Sequence, residues 1–146
     1  MKATPSQGGA SKPRVLTIRT TRRTELQDVT EKIAAAVRDS GCSSGICHLY
    51  VPHTTAGVII NEGYDPAVAR DLEAAFDHLV PRVANSTHAE GNSDSHIKTA
   101  LVGSSETIWI VDAKLALGRW QAIFFAEFDG PRSRELHVKV VPDALA

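Results

Sequence analysis

Apolar residues along the chain recur at two periods, and the switch between them divides the sequence into elements. VLTIRTTR (residues 15–22) places Leu16 and Ile18 on one side, the alternation of a strand. Val29, Ile33, Ala36 and Val37 then recur at helical spacing. Asp28 and Glu31 are set as a capping box at the start, and Gly41 marks the stop. Ile46, Cys47, Leu49, Tyr50 and Val51 read as a strand that Pro52 ends, because proline donates no N–H to a ladder. Val58-Ile59-Ile60 is a short apolar strand. Asp65-Pro66 opens a second helix, with Val68, Leu72, Ala75, Phe76 and Leu79 as its apolar stripe. Residues 82–93 are almost wholly polar and read as a long loop, and residues 96–101 as a short helix. The last third is β: residues 107–111, 120–128 and 135–141, with Asp129-Gly130-Pro131 as a turn. Strands gathered around two or three helices, without regular βα alternation, predict an α+β fold with a mostly antiparallel sheet.

Residues 1–13 are polar, carry Gly, Ser and Pro, and show no period; they read as a flexible tail before one domain over residues 14–146. A chain of 146 residues holds a core without staples. Sixteen Lys+Arg against seventeen Asp+Glu give a formal net charge of −1, which excludes a general electrostatic grip on nucleic acid. No apolar run is long enough to span a membrane, and the first residues lack the apolar stretch of a secretory signal. Two cysteines, Cys42 and Cys47, make no disulfide scaffold and no zinc-ligand spacing. A cytoplasmic protein without nucleic-acid or membrane partners is the expectation.

Candidate chemistry lies where polar residues interrupt apolar runs. His53, Asn61 and Glu62 bracket a strand; His88, Glu90, Asn92, Asp94 and His96 crowd nine residues; Gln121 and Glu127 sit inside an apolar strand. Such groups must find partners when buried. His53, His88 and His96 can converge on a divalent transition metal such as zinc, with Glu62, Glu90 or Asp94 holding the outer ring nitrogens; the competing reading is that these histidines brace loops. His53-Thr54-Thr55-Ala56-Gly57 offers backbone N–H groups to a phosphate, with Arg119, Arg132 and Arg134 as guanidinium forks; the competing reading is a plain turn with surface arginines. Trp120 beside Gln121 is either a packing anchor or the floor of a ring-binding pocket. Cys47 and His48, adjacent on a strand, face opposite ways and make no nucleophilic pair.

The blocks VPHTTAGVIINEGYDPAVARDLEAAFDHLVP, HAEGNSDSHIKTALVG and LALGRWQAIFFAEFDGPRSRELHVKV resemble, in order, the YjbQ-like family, also called secondary thiamine-phosphate synthases. The resemblance spans residues 15–141. It implies an α+β fold with a β-sandwich-like core, assembled as a homotrimer. It also implies a pocket formed by His53, Thr54, Thr55, Asn61, Glu62, His88, Glu90, Asn92, His96, Trp120, Gln121 and Glu127. The implied activity joins a pyrimidine-methyl diphosphate to a thiazole phosphate and releases pyrophosphate, as a weak or secondary activity.

On that reading Glu62, Glu90 and Glu127 are the catalytic carboxylates. Thr54, Thr55, Asn61, Asn92, Trp120, Gln121 and Arg132 bind substrate. The ligand is a small phosphorylated or pyrimidine-like metabolite, and magnesium serves the departing diphosphate. A metal-dependent hydrolase using the three histidines, or a non-catalytic trimeric binder of a phosphorylated metabolite, are the alternatives. Apolar residues on both faces of the C-terminal strands (Ile123, Phe124, Phe125, Phe128) suggest a second covered face, which a trimer interface would supply.

Overall fold

Asp65 and Pro66 start the longest helix as their chemistry requires: the Asp65 carboxylate accepts from the Ala67 N–H at 2.8 Å, and Pro66 occupies the first turn, where no N–H is needed. In the computed structural model, which describes residues 12–82 and 86–144, the elements run in the following order. They are β1 (Arg14–Arg19), β2 (Glu25–Asp28), α1 (Thr30–Ser40), β3 (Gly45–Tyr50), β4 (Ala56–Glu62) and α2 (Pro66–Leu79). There follow α3 (Ser93–Val102), β5 (Ser105–Val111), β6 (Lys114–Leu115), β7 (Gln121–Glu127) and β8 (Ser133–Pro142). The tail read from residues 1–13 lies outside the described residues, except for Lys12 and Pro13.

Every strand pairing is antiparallel. One sheet has the order β1-β8-β3-β5-β6 and the other β2-β7-β4. Between them lies the main core: Ile18, Cys47, Leu49, Ile108, Ile110, Leu136 and Val138 from the first sheet, Val58, Ile123 and Phe125 from the second, and Ile33 and Val37 from α1. The other face of the three-stranded sheet carries Leu26, Ala122, Phe124, Ala126 and Phe128, packed on Leu72 and Phe76 of α2 and Val102 of α3. The architecture is therefore α+β: two antiparallel sheets face each other, and helices cover the smaller one.

This layering accounts for the apolar residues on both faces of β7. Ile123 and Phe125 face the other sheet while Phe124 and Phe128 face the helices, so a single chain covers both sides. A subunit interface is not needed to bury them. The exposed apolar face is elsewhere, on the outer side of the five-stranded sheet, where Ile46 lies in register with Trp109 and Val141 and Trp109 is 71% exposed.

Helix α1 departs from its expected cap. Val29 is the N-cap residue, Asp28 accepts from the Thr30 N–H at 2.9 Å, and Glu31 pairs with Arg38 at 2.6 Å instead of reaching back. Its other end is as expected: Gly41 takes φ +69°, a left-handed conformation that glycine adopts without a Cβ penalty. Gly57 serves a close approach. A Cβ there would collide with the Gly103 carbonyl oxygen, so β4 presses directly on the chain leaving α3.

Candidate functional site

The antiparallel pair β4–β7 distributes the candidate residues. Ala56 pairs with Glu127 at one end and Glu62 with Gln121 at the other. Six strand steps separate these ends, roughly 20 Å at about 3.4 Å per residue. Asn61, Glu62, Trp120 and Gln121 therefore share one end; Thr55, Glu127 and the start of α3 share the other.

At the Trp120 end the groups are loosely held. The Asn61 amide oxygen accepts from the Glu62 N–H at 2.7 Å, and Gln121 Oε1 accepts from the Gly118 N–H at 2.7 Å, so both amides brace their own turns. Tyr64, 77% exposed, stands edge-on to Trp120 with centroids 4.8 Å apart, and the Arg119 guanidinium lies 4.9 Å from the Trp120 ring centre. Tyr64 was not singled out in sequence; its place beside the Asn-Glu pair was the available signal.

At the opposite end the network is dense and buried. Glu127 is fully enclosed. Its Oε2 accepts from Thr20 Oγ1 (2.9 Å) and Arg134 Nε (2.8 Å), and its Oε1 accepts from Arg134 Nη2 (2.6 Å) and the Asp129 N–H (2.9 Å). All four acceptor positions are thus filled, which leaves this carboxylate no lone pair for a substrate. Arg134 also donates to Thr55 Oγ1 at 2.8 Å, so this guanidinium is committed to the core and not to a phosphate. Thr54 is exposed beside it. His53 Nε2 accepts from the Glu135 N–H at 2.8 Å, which puts the ring proton on Nδ1. Burial, reinforced by the nearby Arg134 charge, lowers the His53 pKa and keeps the ring neutral.

The start of α3 continues this network. Asp94, almost completely buried, receives both Arg23 nitrogens at 2.8 and 3.2 Å. Lys98, 1% exposed, reaches Asp77 at 2.6 Å and Asp94, one helical turn back, at 3.7 Å. Asp129 accepts from Asn92 Nδ2 and from Arg132 Nη2, each at 2.9 Å. Burial pushes the Asp94 and Asp129 carboxyls up, but hydrogen bonds and charge from Arg23, and from Asn92 and Arg132, outweigh it and hold both below the usual range. A cavity of about 360 Å³ opens here, lined by Arg23, Thr24, Asp77, Arg82, Asp94 and Lys98.

His88 and His96 meet at the same helix start, ring centroids 5.1 Å apart and planes at 89°. Glu90 Oε2 lies 3.8 Å from His88 Nε2 on the exposed side. His53 does not join them: among the described residues, no three His, Cys, Asp or Glu side chains are grouped closely enough to hold one ion. The loop before His88 includes residues 83–85, which lie outside the described residues. Sequence reading missed Thr20, Arg23, Lys98 and Asp129. Lys98, four residues after Asp94 on a helix, was the readable signal among them.

The family described as "UPF0047 protein YjbQ-like" matches residues 14–143. A UPF0047 protein of Methanocaldococcus jannaschii is 55% identical over 126 residues, covering 86% of this chain and 91% of the relative. YugU of Bacillus subtilis, also a UPF0047 protein, is 41% identical over 129 residues, covering 88% and 98%. Among solved structures, a YjbQ/UPF0047 protein of Clostridium acetobutylicum superposes with TM-score 0.85 at 44% identity, covering 88% of this chain and 99% of that one. A protein of Aeropyrum pernix does so with TM-score 0.86 at 32% identity, covering 91% and 100%. With a family match across nearly the whole described chain, and relatives and folds that agree with it, this protein belongs to the YjbQ-like UPF0047 family.

Proposed function

We propose that the cluster at the start of α3 binds a small phosphorylated metabolite and supports transfer chemistry of the thiamine-phosphate-synthase kind, as a weak or secondary activity. One observation carries this reading. The carboxylates of the cluster, buried Asp94 and Glu127 and half-buried Asp129, are all locked in ion pairs, so the site offers fixed charge and N–H donors but no free base among these three. The joining step suits such a site. The bond from the pyrimidine methylene carbon to a diphosphate oxygen breaks, its electron pair leaves with the diphosphate, and the thiazole nitrogen lone pair forms the new C–N bond. No proton has to move in that step. Orientation and neutralisation of the leaving group are what the protein must supply.

The test is product formation by the purified full chain with both substrates and Mg²⁺. Product above the uncatalysed rate, lost in His96→Ala, supports the reading; no product at high enzyme concentration removes it. The His88–His96 pair favours metal-assisted hydrolysis of a phosphate ester as the second reading, which the same samples test by phosphate release.

The proposed setting is a cytoplasmic homotrimer. Trp109, Val111, Val141, Tyr50 and Val15 project from the outer face of the five-stranded sheet, each at least 42% exposed, and a face of this kind is characteristic of association surfaces. Light scattering should give a trimer that Trp109→Glu dissociates; a monomer at micromolar concentration rejects this assembly. Among the described residues, no helix is long and apolar enough to cross a membrane.

A further inference from the structure

We propose that the start of α3 is a transition-metal site built from His88, His96 and the side-chain carbonyl of Asn92, with its open position suited to a phosphate oxygen. The inference rests on the reading that this cluster is the functional site, and it names what that site holds. The three residues recur every fourth position. The Gly91 N–H donates to the His88 carbonyl (3.0 Å) in the turn before the helix, and the His96 N–H donates to the Asn92 carbonyl (3.4 Å) in its first turn. Asn92 and His96 thus share one face of the helix.

One distance and one orphan atom carry the argument. Two imidazoles on one tetrahedral ion, each bound at about 2.0–2.1 Å, place their ring centres roughly 5 Å apart. His88 and His96 stand 5.1 Å apart. Asn92 is only 6% exposed, and its Oδ1 is enclosed without a donor. An enclosed acceptor without a partner costs about 1–3 kcal/mol. Stacking between the two imidazoles gives no reason for that cost; a cation accepting the Oδ1 lone pair does.

The amide cannot simply be reversed. Its Nδ2 donates to Asp129 Oδ2 at 2.9 Å, and turning it would set an oxygen against a carboxylate. Asp129 is in turn held by Arg132 at 2.9 Å, with Arg23 at 4.0 Å. This is how outer partners usually aim a metal ligand. Glu90, 3.8 Å from His88 Nε2, stands in the corresponding outer position for His88 and leaves the ring's other nitrogen for the ion.

Imidazole nitrogens suit zinc, cobalt or nickel better than magnesium. All three donors are neutral, so a divalent ion keeps its full charge, and with three protein ligands a position remains open. An anionic oxygen is the natural occupant. His53 is outside this set, because its Nε2 already accepts from the Glu135 N–H.

The test titrates the full chain, freed of metal by chelation, with Co²⁺ and then Zn²⁺. Cobalt gives visible absorption and proton NMR signals of the bound imidazole N–H groups. One Co²⁺ per chain and two shifted imidazole N–H signals are expected. His88→Ala, His96→Ala and Asn92→Ala should each weaken binding by at least about tenfold. His53→Ala should leave affinity unchanged, and inorganic phosphate should alter the cobalt absorption of the wild-type chain.

Absence of stoichiometric binding overturns the proposal. So does a count of three imidazoles, or loss of binding in His53→Ala but not in Asn92→Ala. The NMR count needs no variant, so it decides even if Asn92→Ala does not fold. Cobalt bound in this way without synthase product leaves the metal site standing and removes the synthase reading; product without metal binding does the reverse.

Discussion

The two ends of the β4–β7 pair differ in how their polar groups are held. At the Glu127 end, carboxylate and guanidinium are buried and mutually satisfied, tying together the β1–β2 connection, Thr55 at the entry to β4, β7 and β8. At the Trp120 end, aromatic rings stand in solvent and amides cap their own turns. Polar residues in similar strand positions thus do opposite things. One end is a structural framework on which a site can be precise; the other is an adaptable surface. A polar residue inside an apolar strand announces that it needs a partner, and does not say whether the partner is protein or ligand.

The largest test of this contrast is Glu127→Ala. It strands the buried Arg134 charge and should cost about 3–5 kcal/mol, read as a shift of the urea unfolding midpoint. Replacing the pair together by Glu127→Met and Arg134→Met should restore much of that loss; equal loss in the single and double variants would show that the pair is not coupled. Thr55→Val comes next. It removes the 2.8 Å hydroxyl acceptor of Arg134 Nη2, leaves that N–H only the 3.4 Å backbone carbonyl of residue 55, and should cost about 1–3 kcal/mol by the same measurement.

A smaller effect is expected from pH. The His53 pKa is lowered in the folded chain, so the unfolded chain takes up a proton first as pH falls. Its contribution is fully present above the ordinary histidine value of 6.5 and declines as pH drops through 6.5 towards the folded value. Asp94 and Asp129 are shifted down from 3.8, so their contributions are lost only in more acid solution. Unfolding midpoints between pH 7.5 and about pH 5 should therefore fall less in His53→Gln than in the wild type. Equal slopes would discount the His53–Glu135 contact. The smallest change belongs to the open end: Trp120→Ala should alter stability by no more than about 0.5 kcal/mol. A larger loss would mean that the aromatic pair is part of the framework after all.

Much of the fold is readable in the sequence because its signals are local. Asp65-Pro66 begins α2 and Gly41 ends α1 through backbone chemistry that neighbouring residues decide. The short strands β2 and β6 escape detection, since Glu25–Asp28 and Lys114–Leu115 are too short to display a period. The site is harder to read for a geometric reason. His53 and Glu62 are nine residues apart, but most of that interval is extended strand, which carries the two groups to opposite ends of the sheet. His88 and His96 are eight apart, and a turn followed by a helix start folds that interval back on itself. Nearly equal spacing in sequence therefore gives proximity in one case and separation in the other. The need of Glu127 for a partner was visible; that Arg134, on the next strand, satisfies it depends on a register that sequence does not print.

The bare backbone contact of Gly57 against Gly103 makes a pivot. Helix α3 runs about 15 Å from that contact to its first turn, at about 1.5 Å per residue. A methyl group at position 57 would wedge the pivot, and the helix would act as a lever whose far tip carries Asn92 and His96. Gly57→Ala is thus a way to misalign the histidine pair from across the molecule without touching a single group that binds anything.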